Sequence, residues 1–211
     1  MIDVVTLATV HLFGDALASQ ARLRHRMFVE CRDIDHSYFD GMEHDQFDTP
    51  SAVYLLWRDD KGEARCMTRL LRTTQPYMVK KFWPHLAHAD DLPDSPEVWE
   101  GTRLCADIAL DRRMRQRALA EVLCAVTEYL EAQGARKLIG VTSIAQATRL
   151  FPSNLEWLGE EAPIEGRMEA AFRLPVGSIM PESARERYGF PQSVLCMDGR
   201  TQDRIDGKWA A

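Results

Sequence analysis

The segment QRALAEVLCAVTEYLEAQG (116–134) carries the strongest helix signal in the chain, and its neighbours decide what it can build. Leu119, Val122, Leu123, Val126 and Leu130 recur at helical spacing, and Gly134 stands where a C-terminal cap belongs. A long strand signal, PEVWEGTRLCADIAL (96–110), precedes it, and a short apolar one, KLIGVT (137–142), follows. Strand, helix and strand in that order make a crossover unit, which is right-handed when both strands share a sheet. An α/β chain with helices packed on the sheet faces is therefore expected, rather than a sandwich or a bundle.

Weaker signals fill in the rest. Residues 16–30 read as a helix, with Leu23 and Met27 on one stripe and Arg24 and Phe28 on the next. AVYLLW (52–57) and ARCMTRLL (64–71) flank Asp59-Asp60-Lys61-Gly62, a hairpin turn. A short helix through Arg149, a strand near Ala170 to Leu174 and a helix in PESARERYG closed by Gly189 complete the order. Residues 32–48 have no helical period and hold Asp33, Asp35, Asp40, Glu43, Asp45 and Asp48 against Arg32 alone. They are expected to form a loop, and a connection of that length in a compact domain points to function. No repeat or linker divides the chain, so one domain is expected over 1–197, with a mobile tail over 198–211.

Composition narrows the function classes. With 26 basic and 32 acidic side chains the net charge is −6, which argues against a general nucleic-acid binder. No apolar run approaches the roughly 20 residues needed to cross a bilayer, and the N-terminal stretch lacks the basic start of a secretory signal. The five cysteines are widely spaced with no CxxC pair, as reduced thiols of a cytoplasmic protein would be. His85 and His88 lie near Asp90 and Asp91, but no second cluster completes a ligand set, so no metal is expected.

Two arginines sit where apolar residues belong. Alternation puts Arg69 in a row with Met67 and Leu71, and Arg103 in a row with Trp99 and Cys105. A buried charge must be paired or bound to something. One reading is a structural ion-pair network among Asp45, Asp48, Arg69 and Arg103; the other is a polar pocket for a guest carrying both charges, such as an amino-acid moiety. Glu100 falls on the opposite face from Arg103, so the two share a site only if the strand bulges or bends within 100–103, where Gly101 would permit it.

Four stretches weigh on that choice: LRHRMFVE (23–30), GMEHDQFD (41–48), TRLLRTTQPYM (68–78) and VWEGTR (98–103). In order and spacing they resemble the acyl-homoserine-lactone synthases, the LuxI-type autoinducer synthases of bacterial quorum sensing, and the likeness continues more loosely through VTSIAQATRL (141–150). The resemblance implies a fold like the GCN5-related N-acyltransferases, a mixed twisted sheet flanked by helices with a cleft between its central strands. It implies S-adenosylmethionine as acyl acceptor, with an acylated carrier protein favoured as donor and acyl-coenzyme A as the alternative. The implied reaction is N-acylation followed by lactonisation, releasing methylthioadenosine. S-adenosylmethionine is a substrate there, and no cofactor is expected.

Carried over residue by residue, the resemblance assigns catalysis to Glu100 and Arg103. It assigns S-adenosylmethionine binding to Arg24, Phe28, Ile34, Asp45, Asp48 and Arg69, with Arg24 expected to be partly structural. Ile34 stands where the family usually carries tryptophan, leaving Tyr38 or Phe39 to supply the aromatic wall. Arg72 and Cys66 stand where proline and glycine are common. Leu104, Leu123, Val126, Thr142 and Leu150 are expected to line the acyl pocket. Arg112, Arg113, Arg115 and Arg117, ahead of the long helix, and Arg149 form a basic patch suited to an anionic donor. An N-acyltransferase that does not lactonise would need no acid-rich segment, so GMEHDQFD argues against it; a non-catalytic binding domain is the remaining alternative.

Overall fold

The computed structural model describes residues 1–31, 37–151, 153–190 and 193–201. In chain order the elements are β1 (Ile2–Val5), α1 (Ala16–Arg24), β2 (Tyr38–Phe39), β3 (Met42–Glu43), β4 (Val53–Arg58), β5 (Ala64–Arg72), α2 (Met78–Phe82), β6 (Val98–Ala106), α3 (Arg112–Ala132), β7 (Lys137–Thr142), α4 (Ile144–Leu150), β8 (Glu156–Trp157), β9 (Ala162–Ile164), β10 (Arg167–Pro175), α5 (Glu182–Tyr188) and β11 (Leu195–Cys196). Among the described residues the main sheet runs β11-β1-β4-β5-β6-β7-β10-β8, with β9 on β10 and β2-β3 forming a separate ribbon. The expected crossover is present: α3 joins β6 to the parallel β7. A core of Leu55, Leu70, Trp99, Val122, Val126 and Leu138 fills the α3 side, and a second core of Leu23, Leu56, Met67, Leu71 and Val79 fills the side of α1 and α2.

Three local expectations are corrected. The first helix does not run evenly to residue 30: α1 ends at Arg24 and His25–Glu30 wind as a π-helix, with Cys31 N bonded to Arg26 O at 3.0 Å. The long helix starts at Arg112 because Asp111 caps it, accepting from Met114 N at 2.8 Å, so the arginine run forms its first turns. The described part of the acidic segment holds the ribbon, turned by Asp40 and Gly41 with φ of 51° and 69°. Of the tail expected over 198–211, residues 202–211 lie outside the described residues; within the described part the Thr201 hydroxyl donates to Asp3.

β6 and β7 hold each other only at their beginnings. Their register pairs Val98, Trp99 and Glu100 with Lys137, Leu138 and Ile139 and then stops, although both strands continue. Beyond that point they part into a slot. α3 follows β6 and α4 follows β7, so both helices begin at the open end of the slot.

Candidate active site

The sheet face beside α1 and α2 carries the misfit charges. On β5, Arg69 is fully buried; its Nη1 donates to Asp45 Oδ1 and Asp48 Oδ1, both at 2.7 Å, its Nη2 to Asp45 Oδ2 at 2.8 Å, and its Nε to Thr102 Oγ1 at 3.0 Å. At the end of α1, Arg24 is equally buried and grips Asp48 with two nitrogens, at 2.7 and 3.0 Å, while its Nε donates to Glu43. Arg103 Nη2 reaches Glu43 Oε1 at 2.9 Å and Asp45 Oδ2 at 2.8 Å. Three guanidiniums and three carboxylates thus make one neutral network, the arrangement that lets charges be buried at all. Burial works to raise the Asp48 carboxyl, but bonding to Arg24 and the charges of Arg24 and Arg69 outweigh it and hold it well below the usual range. Burial likewise opposes the Arg24 charge, which Asp48 and Glu43 more than restore.

Arg103 gets there by breaking the strand. Between β5 and β6 the register passes from Met67–Cys105 to Arg69–Thr102, so Arg103 and Leu104 oppose Thr68 alone. The bulge falls on Arg103, whose φ is +55°, a conformation costing a non-glycine residue of order 1–3 kcal/mol. Gly101, expected to be the weak point, stays in register opposite Leu70. The extra residue turns Glu100, Thr102 and Arg103 to one side and returns Leu104 to the α3 side. Glu43, Asp45 and the ring of Phe28, 5.3 Å from the guanidinium carbon, fix the strained side chain.

Glu100 stands apart from the network. It is buried and accepts from Met78 N at 2.8 Å and Val79 N at 2.7 Å, the free amides that open α2. Burial pushes its carboxyl up to about 7, against the pull of those two bonds and the charge of Arg69. By clamping α2, Glu100 sets Met78, whose Sδ lies 3.3 Å from Arg69 Nη2 and 3.9 Å from Arg103 Nη1.

Two cavities adjoin this cluster. One, of about 150 Å3, is lined by Phe28, Glu100 and Arg103 and by all five residues expected for the acyl pocket: Leu104, Leu123, Val126, Thr142 and Leu150. The other, of about 520 Å3, is lined by Glu43, His44, Asp45 and Phe82 among others. Met78, Trp83, Arg103 and Glu165 line both, so the cavities meet at these side chains. Asp45, Phe28, Glu100 and Arg103 therefore face open space, whereas Arg24, Asp48 and Arg69 stand behind them, and Ile34 lies outside the described residues. Tyr38 and Phe39 turn outward, 59% and 79% exposed, and line neither cavity; Trp83 and Phe82 supply the aromatic surface instead. Glu43 and Trp83 were not singled out from the sequence. Glu43 is two residues before Asp45, the spacing that puts alternate side chains of an extended segment on one side; nothing in the sequence marked Trp83.

None of the arginines of the basic patch lines either cavity. Arg112, Arg113 and Arg117 are exposed on the first turns of α3, where Arg117 donates to Tyr188 O at 3.3 Å; Arg115 donates to Ile108 O at 3.4 Å, and Arg149 is exposed on α4.

The order of these elements and residues is that of a known family: residues 13–177 match the family model of the autoinducer synthases. The chain belongs to that family. The synthase is 37% identical to an acyl-homoserine-lactone synthase of Ralstonia nicotianae over 64% of its own length and 68% of the relative's. It superposes with a TM-score of 0.82 and 28% identity on a structure of a CoA-dependent acyl-homoserine lactone synthase, BjaI, with SAM and isopentyl-CoA, covering 98% of this chain and 97% of that one. A Lactobacillus plantarum structure described as an N-acetyltransferase shares the fold alone, at TM-score 0.54, 17% identity and coverage of 83% and 98%. The synthase is accordingly an acyltransferase on an N-acetyltransferase-like frame.

Proposed function

We propose that this synthase acylates the amine of S-adenosylmethionine and closes the product to a homoserine lactone, with S-adenosylmethionine in the larger acidic cavity and the acyl thioester in the slot between β6 and β7. The observation that carries this reading is the meeting of an acidic and an apolar cavity at Arg103. S-adenosylmethionine brings a sulfonium, an ammonium and a carboxylate. Glu43 and Asp45 favour the cations, and a volume of about 520 Å3 is in the range of small-molecule sites. Arg24 and Arg69 are saturated by acids, whereas Arg103 keeps its Nε without a partner, so Arg103 is the donor left for the guest carboxylate or the developing oxyanion.

The amine loses its proton before it attacks the thioester carbonyl; the amide bond forms as the carbonyl carbon–sulfur bond breaks, and the donor leaves as a thiolate that takes up a proton. An α-amino group titrates near 7.7–8.0, so at neutral pH its proton loss costs only about 1 kcal/mol, small beside the roughly 7–11 kcal/mol gained by holding both reactants together. Glu100 is the base, acting through a water. In the second step a carboxylate oxygen attacks the γ-carbon, the carbon–sulfur bond breaks, and the sulfur leaves as the neutral thioether of methylthioadenosine.

Coenzyme A is the donor we favour over the carrier protein expected from the sequence, because the likeness to the CoA-dependent synthase spans nearly the whole chain. Purified protein incubated with S-adenosylmethionine and matched acyl donors should release methylthioadenosine and lactone, detected by mass spectrometry, with kcat/KM at least tenfold higher for the coenzyme A thioester. A higher value for the carrier-bound acyl group reverses the donor assignment; free thiol without methylthioadenosine points to a plain N-acyltransferase. Among the described residues no helix is long and apolar enough to cross a membrane, and all five cysteines are free, which supports a place in the cytoplasm.

Trp83 gives a separate check. A sulfonium held against its ring gains about 0.5–2 kcal/mol. Trp83→Ala should then raise KM for S-adenosylmethionine about two- to thirtyfold with little change in kcat, in steady-state kinetics. An unchanged KM removes Trp83 from the binding surface.

A further inference from the structure

The apolar cavity is small, at about 150 Å3. Its inner wall, Leu123, Val126, Phe151 and Phe172, belongs to the packed core beneath α3, each less than a tenth exposed. Phe172 on β10 is the direct cross-strand partner of Gly140 on β7. The Phe172 ring lies over that glycine so closely that a Cβ there would sit 2.8 Å from its Cζ. The aromatic side chain occupies the space that glycine leaves and lines the cavity, with Phe151 5.5 Å away between ring centres. The about 150 Å3 available runs from Glu100 and Arg103 to this floor. An apolar cavity of that size holds a benzene-sized guest, on the order of six carbons.

We propose that the synthase accepts only short acyl groups, of about six carbons or fewer, and that Phe172 laid over Gly140 sets the limit. This rests on the reading of the slot as the thioester site. A chain longer than the cavity must displace core side chains, and in a tight apolar pocket each methylene too many costs about tenfold or more in kcat/KM. Phe172→Ala removes the floor at the cost of a core cavity, and Phe172→Leu removes only the ring edge.

The test is a kcat/KM series with butyryl, isovaleryl, hexanoyl, octanoyl and decanoyl coenzyme A, following methylthioadenosine and lactone by mass spectrometry. Wild type should peak at hexanoyl or below and lose about a hundredfold by octanoyl. Phe172→Ala should raise the octanoyl-to-hexanoyl ratio at least tenfold, with folding verified by a cooperative melt; if it does not fold, Phe172→Leu should shift the ratio the same way by less. Wild type using decanoyl as well as hexanoyl, or folded Phe172 variants with an unchanged order of preference, overturns the proposal. Methylthioadenosine formed with the wrong order of donors defeats only this limit, whereas none with any donor defeats the reading beneath it as well.

Discussion

Replacing Arg24 by alanine should lower the unfolding free energy by about 3–5 kcal/mol, the cost of removing one partner from a buried charge network. Glu43, Asp45 and Asp48 would then face only Arg69 and Arg103, with the Asp48 carboxylate stripped of its two shortest contacts to α1. A domain of this kind has only about 5–15 kcal/mol in total, so the variant should sit near the edge of folding. Arg24→Lys keeps the charge but cannot reach Glu43 and both Asp48 oxygens at once, and should fall between the two. The pH dependence has a fixed sign. Because Asp48 is held below its ordinary 3.8, its contribution is full at neutral pH, begins to shrink below about pH 4 and is lost as pH falls through the depressed value. Without Arg24 the contribution should be smaller and its loss complete at a higher pH. Urea unfolding at several pH values measures all of this, and a variant within 1 kcal/mol of wild type would mean that the network carries no such energy.

The same contacts explain what was readable beforehand. The β6–α3–β7 crossover was legible because Val122, Val126 and Leu130 repeat with the helix period and the flanking runs do not. β1 was not: Ile2–Val5 is buried on both faces, so it offers no alternation. Nor was α2, whose five residues MVKKF have no apolar stripe and depend on Glu100, remote in sequence, to hold their first amides. A tertiary contact makes that helix, and Trp83, set by it, was hidden with it.

In the site, the charge misfits of Arg69 and Arg103 were visible, and so was the failure of strict alternation between Glu100 and Arg103. Which residue would bear the bulge was not. Glycine is the intrinsically easy position, but the bonds of Arg103 to Glu43 and Asp45 compensate the strain at residue 103 instead. The division into residues that face a guest and residues that stand behind them was equally unreadable, since it follows from how many nitrogens of each guanidinium are already bonded. Arg24 and Arg69 have all three bonded, whereas Arg103 keeps its Nε without a partner.

Glu100→Gln should have the largest effect on turnover, lowering kcat about 10²–10⁴-fold if Glu100 is the base. A base must be ionised to work, so wild-type kcat/KM should rise with pH through about 7, where burial has moved the Glu100 carboxyl. Glutamine cannot titrate, and the remaining limb should move toward 7.7–8.0, where an α-amino group loses its own proton. Stability should change in the opposite sense to Asp48. A carboxyl raised from 4.5 to about 7 disfavours the folded state once ionised, so wild type should lose about 3 kcal/mol as pH climbs through that window, and the Gln variant should not. The Gln variant carries its own constant penalty, because its amide nitrogen cannot accept from the second α2 amide, and loosening α2 would raise KM as well. The midpoint of the kinetic limb separates the two roles: a Gln variant that is slower but still rises through pH 7 leaves Glu100 as the clamp on α2 and assigns the proton to another acceptor.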